Sequence, residues 1–135
     1  MNLRYLLAGV LVVALVALGS FGLAQITGFI VSDGGSREVQ VNIDYGENEE
    51  TFDVEIGPRE SAFDSLKRVA TVDYEANEMG AYITGINNVK QDENHYWLYF
   101  VNDEMPNVGC AYYHPVDGDV IAFRYLTTEE AAGYF

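Results

Sequence analysis

The sequence is poor in cysteine, histidine and basic residues, and these shortages exclude several classes of protein. Its 135 residues include one cysteine, Cys110, two histidines, and only 7 basic residues against 21 acidic ones. A lone cysteine cannot form an internal disulfide, so packing alone must stabilise the fold. The formal net charge of −14 disfavours nucleic acid as a partner, because a polyanion is repelled across most of such a surface.

Catalytic and metal-binding motifs are equally scarce. His95 and His114 lie far apart in the sequence, and neither has a partner at zinc-ligand spacing. Cys110 and His114 could form a nucleophile and base, but nothing near them supplies an oxyanion hole or an orienting third group. There is also no glycine-rich phosphate loop. We therefore predict a protein that is not an enzyme and has no catalytic or metal-binding residues.

The strong acidity has two interpretations, and both stay open. The first is a solvated surface suited to a salty medium, where screening reduces self-repulsion. The second is weak cation binding by the acidic loop that contains Asp44, Glu47, Glu49 and Glu50. A calcium loop needs oxygen ligands at alternating positions, and Tyr45 and Gly46 break that spacing. We favour the solvated loop.

The N-terminal 31 residues predict an export signal. They carry one charge, Arg4, and residues 6–18 are all apolar or glycine. The small residues Gly22 and Ala24 suit a cleaved signal peptide. Residues 5–31 are equally long enough, at about 1.5 Å per residue, to cross a hydrocarbon core of roughly 30 Å. We favour the uncleaved anchor, with the remainder on the extracellular side of the cell membrane, or secreted if the segment is removed.

Alternation of apolar and polar residues organises the rest of the chain. After a linker at 32–37, it predicts a hairpin of strands at 38–44 and 52–56 and a helix capped by Ser61, with an Asp64–Arg68 pair. Further strands are predicted at 72–74, 81–86, 96–102, 110–113 and 120–125, followed by a tail at 127–135 with one short helix. The expected fold is α+β: a β-grasp-like mixed sheet with one helix packed across it, over residues 38–126.

The strand at 96–102 is apolar on both faces and contains the only tryptophan. Trp97 and Tyr99 point to one side of the strand, whereas Tyr96, Leu98 and Phe100 point to the other. One face must cover the core of so small a domain. We expect the face with Trp97 and Tyr99 to be open to a ligand or partner, because an anchoring tryptophan contributes up to about 5 kcal/mol of burial.

Several short motifs follow one another in the second half of the chain. They are Gly80 to Ile83; Ile86, Asn87 and Asn88; Tyr96 and Trp97; and Gly109, Ala111, Tyr113, Pro115, Gly118 and Ile121. Together they resemble the carboxyl-terminal domain of transcobalamin and intrinsic factor, the eukaryotic cobalamin carriers, and the related exported domains of prokaryotes. The likeness is detailed over about 50 residues, and the preceding hairpin and helix extend it loosely to about 95.

The resemblance implies a β-grasp-like domain that covers one face of a corrin. The ligand-binding residues that it implies lie on two strands: Gly80, Ala81, Tyr82 and Ile83 on the first, and Trp97, Leu98 and Tyr99 on the second. The carriers also use a large helical domain that has no counterpart in this sequence. Two functions stay open: a non-catalytic module that binds cobalamin, another corrinoid or another flat apolar ligand, and a cell-surface protein–protein interaction module that uses the same aromatic face.

Overall fold

A computed structural model describes residues 35–135 of the chain. The predicted anchor or signal at residues 1–31 and most of the linker lie outside this part. Within it, the elements follow the order β1 (Arg37–Asp44), β2 (Glu49–Ile56), α1 (Ala62–Val69), β3 (Val72–Asn77), β4 (Gly80–Ile86), β5 (Val89–Lys90), β6 (His95–Val101), β7 (Val120–Thr127) and α2 (Thr128–Ala132). None of the helices in residues 35–135 is long and apolar enough to cross a membrane.

The larger sheet has four strands in the order β2-β1-β7-β6. The pairing of β1 with β7 is parallel, and the other two pairings are antiparallel. The alternating pattern of β1 buries Val39, Val41 and Ile43 on one face, as the sequence predicts. The first and last strands of the domain are therefore neighbours in the centre of this sheet.

The remaining strands form a separate antiparallel sheet in the order β3-β4-β5, so the prediction of a single mixed sheet is wrong, whereas the α+β class is confirmed. The division arises at the turn after β4. Asn87 and Asn88 adopt left-handed backbone angles, with φ of 50° and 67°, and reverse the chain tightly into β5. Ile86 thus pairs with Val89, and no backbone ladder joins β4 to β6.

Helix α1 begins with the predicted cap. The Ser61 side chain accepts a hydrogen bond from the Asp64 backbone N–H, and the Asp64 carboxylate accepts one from the Ser61 N–H, which is a complete capping box. The predicted Asp64–Arg68 pair is wrong, because Asp64 instead lies 3.4 Å from Lys67 and Arg68 pairs with Glu60. The capping geometry turns Asp64 toward the first turn of the helix and away from Arg68.

The strand predicted at 110–113 is also wrong, since residues 110–112 form a turn and Tyr113 lies in irregular structure. Their carbonyl groups bond to the start of α1 and not to a neighbouring strand. The Phe63 N–H donates to the Cys110 oxygen at 3.0 Å, and the Ala62 N–H donates to the Tyr113 oxygen at 2.9 Å. These bonds satisfy two of the amide groups that the first turn of any helix leaves unpaired.

Two apolar clusters lie on opposite faces of the larger sheet. The main core includes Val41, Leu66, Trp97 and Phe123, and the smaller cluster gathers Phe100 and other residues beneath α2. The strand at β6 therefore contributes alternate residues to the two clusters, as its two apolar faces predict. Both faces are covered by the protein itself over most of their length, and any binding site must lie at the edge of the strand.

Candidate functional site

A groove of about 270 Å³ lies between β4 of one sheet and β6 of the other. We call it the β4–β6 groove, and its lining is mostly apolar. It is lined by Asn77, Met79, Ala81, Tyr82, Ile83, Trp97, Leu98, Tyr99, Met105, Gly109, Cys110 and Phe123. Six of the seven ligand-binding residues implied by the sequence resemblance are in this set, so residues from two separate sheets meet in one place.

Gly80 is the residue of the implied set that does not line the groove. Its φ of 103° lies in a region that L side chains rarely adopt, and a Cβ there would approach the Tyr112 ring to 3.1 Å. The glycine is needed by the β3–β4 turn and by the close approach of Tyr112. Its place in the motif has this structural explanation.

Trp97 lines the groove but is not open to solvent, which corrects the expectation that its face points outward. Trp97 is 5% exposed, and its ring packs edge-on against Tyr45, with ring centroids 5.8 Å apart, and tilted by 38° against Tyr125, with centroids 5.0 Å apart. The indole Nε1 donates to the Val89 carbonyl oxygen at 2.8 Å. Trp97 thus forms part of the inner wall of the groove.

The polar atoms on the other walls are engaged within the protein. The Tyr99 hydroxyl donates to the Val108 carbonyl oxygen, and the Tyr82 hydroxyl donates to Gln91 at 3.0 Å. Burial raises the pKa of the Tyr99 phenol, so it stays protonated at neutral pH. The side chains of the groove therefore offer an apolar surface with no charge.

Cys110 lies at the groove with its thiol buried at 3% exposure. Its Sγ lies 3.8 Å from the Ala81 carbonyl oxygen, and burial raises the pKa of the thiol to about 11. His114 instead contacts the Glu60 carbonyl oxygen through Nδ1 at 3.2 Å. The two residues are held by different partners, and the thiol has the environment of a packed side chain.

Six of the residues that line the groove are not in the implied ligand-binding set, and most of them lie in loops. Met79 is in the β3–β4 turn and is 73% exposed, while Met105 and Gly109 lie between β6 and β7. A Cβ on Gly109 would overlap the Met79 carbonyl oxygen, which shows how closely these two loops approach. Methionines between the predicted strands are the one signal that could have identified this wall, since methionine adapts to varied surfaces.

Part of the β6 backbone has no hydrogen-bond partner at the groove. Two bonds just outside the strand fix which residues pair with β7: the Asn102 N–H donates to the Val120 carbonyl oxygen, and the Thr128 N–H donates to the Asn94 carbonyl oxygen. In an antiparallel pair the bonded positions alternate, so Leu98 and Phe100 bond to β7, whereas the N–H and C=O groups of Trp97 and Tyr99 point away from it. Within residues 35–135, no backbone or side-chain group bonds to these four atoms.

A second and larger cavity, of about 780 Å³, lies beside the β1–β2 turn. Its lining includes the acidic residues Asp44, Glu47, Glu50 and Glu130. The Asp44 carboxylate accepts from the Gly46 N–H at 2.8 Å, and Glu50 accepts from the Tyr45 hydroxyl at 2.7 Å. Among residues 35–135, no three His, Cys, Asp or Glu side chains converge as metal ligands. Asp44 and Glu50 therefore bond within the hairpin itself.

His95 borders this second cavity. Its Nδ1 lies 2.9 Å from the Asp92 carboxylate, and its ring stacks on Tyr125 with centroids 4.8 Å apart. His95 and His114 thus have different partners on different elements. Each has a structural contact of its own.

Other residues of the sequence motifs stabilise the fold. The Asn87 amide accepts from the Thr71 N–H at 2.9 Å and donates to the Tyr45 hydroxyl at 2.7 Å, which ties the turn after β4 to the end of β1. Asp119, at 4% exposure, accepts from the Tyr113 hydroxyl at 2.8 Å and from Asn102 at 2.9 Å. These contacts give the motif residues Asn87 and Tyr113 a structural role.

The pKa of Asp119 reflects this environment. Burial by itself raises it, but the hydrogen bonds from Tyr113, from the Val116 N–H and from Asn102 together bring the pKa below its ordinary value. The partner, Tyr113, has a pKa raised to about 12, chiefly by burial and then by its bond to Asp119. A charged carboxylate is therefore the stable form inside the loop that closes the domain.

Two solved structures have a fold similar to that of this chain. A candidate metal-binding protein from Ruminococcus gnavus ATCC 29149 matches with a TM-score of 0.59 and 19% identity, over 67% of this chain and 97% of that chain. Haptocorrin in complex with Cbi matches with a TM-score of 0.63 and 15% identity, over 68% of this chain. The match spans only 25% of the haptocorrin chain. At these identities the likeness shows a shared fold.

The comparison with curated proteins gives no match. The haptocorrin match confirms the transcobalamin-like fold that the sequence motifs predict. The sequence model of a domain of unknown function, DUF4430, matches residues 60–127, which is half of the chain. This match includes β3 to β7 and both strands of the groove. The chain belongs to the DUF4430 family.

Proposed function

We propose that this chain is an exported, membrane-anchored and non-catalytic module whose β4–β6 groove binds a flat, largely apolar ligand such as a corrinoid. One observation carries the proposal: six residues implied by the resemblance to cobalamin carriers, from strands of two different sheets, line the same groove. Haptocorrin, which shares the fold, is seen in complex with Cbi. An apolar groove with few free polar side chains suits a ligand held mainly by surface contact.

The size of the groove limits the strength of binding. At about 270 Å³ it is smaller than the roughly 300–1,000 Å³ of most drug-sized ligand sites. Only one edge of a corrin-sized ring can enter it. We therefore expect weak binding by this chain alone, and tighter binding when a second protein covers the opposite face of the ligand.

Titration of the full chain with cobalamin tests this proposal. Trp97 is the only tryptophan and lines the groove, so its fluorescence reports on occupancy. Equilibrium dialysis, read by corrin absorbance, gives an independent value of the dissociation constant. Substitution Met79→Asp places a charge on the groove wall and should weaken binding about tenfold, equal to about 1.4 kcal/mol.

Val116→Asp is the matched control, because Val116 is also exposed and apolar, at 57%, but does not line the groove. It should bind as the unchanged protein does. Absence of binding by both methods at millimolar cobalamin rejects the corrinoid proposal. Equal binding by the two variants would show that cobalamin binds elsewhere.

A second candidate function is docking of a protein partner at the same place. It is favoured by the apolar side chains that remain exposed around the groove, namely Met79 at 73%, Tyr112 at 56% and Val108 at 46%. Exposed apolar groups that cluster beside a groove are typical of interaction surfaces. The open edge of β6 indicates which kind of partner this surface fits.

A further inference from the structure

The edge of β6 is closed at both ends and open in the middle. At one end, the His95 carbonyl oxygen accepts from the Asp92 N–H at 3.2 Å. At the other, Val101 exchanges two backbone hydrogen bonds with Glu104, at 2.8 and 3.1 Å. Between these closures, within the described residues 35–135, the N–H and C=O groups of Trp97 and Tyr99 have no partner. We call residues 97–99 the open edge.

The residues that carry these four groups line an apolar groove, and that combination favours a particular occupant. Leaving a backbone polar group without a partner costs about 1–3 kcal/mol once water is excluded. An apolar ligand without donors and acceptors would therefore bind poorly against the open edge. An extended polypeptide presents N–H and C=O groups on one side at every second residue, which matches the spacing of Trp97 and Tyr99.

The charge near the groove favours one kind of incoming peptide strand. Exposed acidic residues adjoin several residues of the groove: Glu78 adjoins Met79, Glu104 adjoins Met105, and Glu75 lies on β3 opposite Tyr82. The whole chain has a formal charge of −14, so a second copy would be repelled. A strand with lysine or arginine at its ends complements this rim.

We propose that the open edge of β6 pairs with a short extended segment of a basic partner protein, which adds a strand to β6 alongside the β4–β6 groove. Alternate apolar side chains of the segment contact the walls formed by Met79, Tyr82 and Met105. Its basic ends lie beside Glu78 and Glu104. This inference rests on the docking function and goes beyond the corrinoid proposal, because it assigns the groove a polypeptide.

Hydrogen exchange of the full chain, measured by NMR on ¹⁵N-labelled protein, tests the first step. In the free protein, the amides of Trp97 and Tyr99 should exchange at least tenfold faster than those of Leu98 and Phe100, which bond to β7. Equal protection of all four amides would overturn the proposal, because the edge would then already be occupied.

The probe for the second step is a synthetic peptide of the sequence Lys-Val-Thr-Val-Thr-Val-Lys. Its addition should slow the exchange of the Trp97 and Tyr99 amides at least tenfold. Two further peptides carry N-methyl groups on either the valines or the threonines. One of these should bind at least tenfold more weakly, because its methyl groups face β6. No protection at millimolar peptide, or unchanged binding of both methylated forms, would overturn the proposal.

Charge reversal supplies matched variants. Glu78→Lys together with Glu104→Lys should weaken binding of the lysine-flanked peptide at least tenfold at low salt and strengthen binding of a glutamate-flanked version. Glu129→Lys, on the exposed face of α2, should leave both unchanged. Equal effects of the double variant and of Glu129→Lys would contradict a basic partner.

Cobalamin titration of the same samples separates the two proposals. If the peptide does not bind but cobalamin does, the corrinoid function stands and strand addition fails. If the peptide binds but cobalamin does not, strand addition stands and the corrinoid function fails.

Discussion

The indole Nε1 of Trp97 donates a hydrogen bond to the carbonyl oxygen of Val89 at 2.8 Å, and this bond connects the two sheets. Trp97 is on β6 of the four-stranded sheet, and Val89 is on the short β5 of the other. The two walls of the groove belong to different sheets with no backbone ladder between them. The tryptophan therefore helps to fix the distance between β4 and β6.

Replacement Trp97→Phe should destabilise the domain by about 1–3 kcal/mol, because the Val89 carbonyl oxygen loses its donor in a largely buried place. Urea unfolding followed by far-UV circular dichroism measures the change. Tyr74→Phe is a suitable control, since Tyr74 is 49% exposed and its hydroxyl makes no hydrogen bond within residues 35–135. A Trp97→Phe variant as stable as the control would show that the bond contributes nothing.

Two adjacent asparagines allow a separate test of the turn after β4. Both have positive φ, so glycine is compatible with either backbone position. Asn87→Gly removes hydrogen bonds to Thr71 and Tyr45 and should cost about 1–2 kcal/mol, whereas Asn88→Gly should change stability by only a few tenths of a kcal/mol. Thermal and urea unfolding of the pair measures the difference. Equal losses of stability in the two variants would show that the side-chain hydrogen bonds of Asn87 contribute nothing and that only the backbone conformation matters.

The Tyr113–Asp119 bond should make stability depend on pH. Because the folded-state pKa of Asp119 is lowered, its contribution is present above the unfolded pKa of about 3.9 and is lost as pH falls through the folded pKa. Tyr113→Phe should therefore be destabilised by about 1–2 kcal/mol at pH 7, with the difference from the unchanged protein shrinking in acid. Tyr112→Phe, next in sequence and 56% exposed, is the control.

Urea unfolding at a series of pH values measures this dependence. A Tyr113→Phe difference that stays constant from pH 7 into acid would mean that the Asp119 charge is not involved. A constant difference would then be assigned to loss of the hydroxyl group alone. The control variant should follow the unchanged protein at every pH.

Cys110 should be unreactive in the folded protein. Its thiol is 3% exposed and has a pKa of about 11, so little thiolate is present near pH 8. We expect no reaction with a thiol-specific disulfide reagent under native conditions and complete reaction of one thiol per chain in urea. Fast modification of Cys110 under native conditions would show that the groove opens far enough for the reagent to reach the buried thiol.

The strands were predictable where the local pattern decides them. The alternation in β1 and β2 and the cap at Ser61 reflect neighbours in sequence, and both predictions are confirmed. The division into two sheets was not predictable, because it depends on whether β4 pairs with β6, which are distant along the chain. Residues 110–113 read as a strand because they are apolar, and the structure instead uses their carbonyl groups to satisfy the start of α1.

The candidate site was predictable in its strands and not in its loops. The resemblance to the cobalamin carriers implied Ala81 to Ile83 and Trp97 to Tyr99, and the structure brings them to one groove. Met79 and Met105 were missed because the paths of their loops depend on tertiary contacts. The orientation of Trp97 was wrong for a related reason: periodicity shows which residues share a face, but only the position of the other sheet shows which face is covered.

The parallel pairing of β1 with β7 places the start and the end of the domain side by side. A chain emerging from a ribosome or a translocation channel can form the β1–β2 hairpin early, but the free edge of β1 has no strand to pair with until β7, which ends at residue 127, has emerged. Completion of the four-stranded sheet must therefore be a late folding event, governed by contacts of long sequence separation. Until then the hairpin remains a substrate for chaperones and proteases.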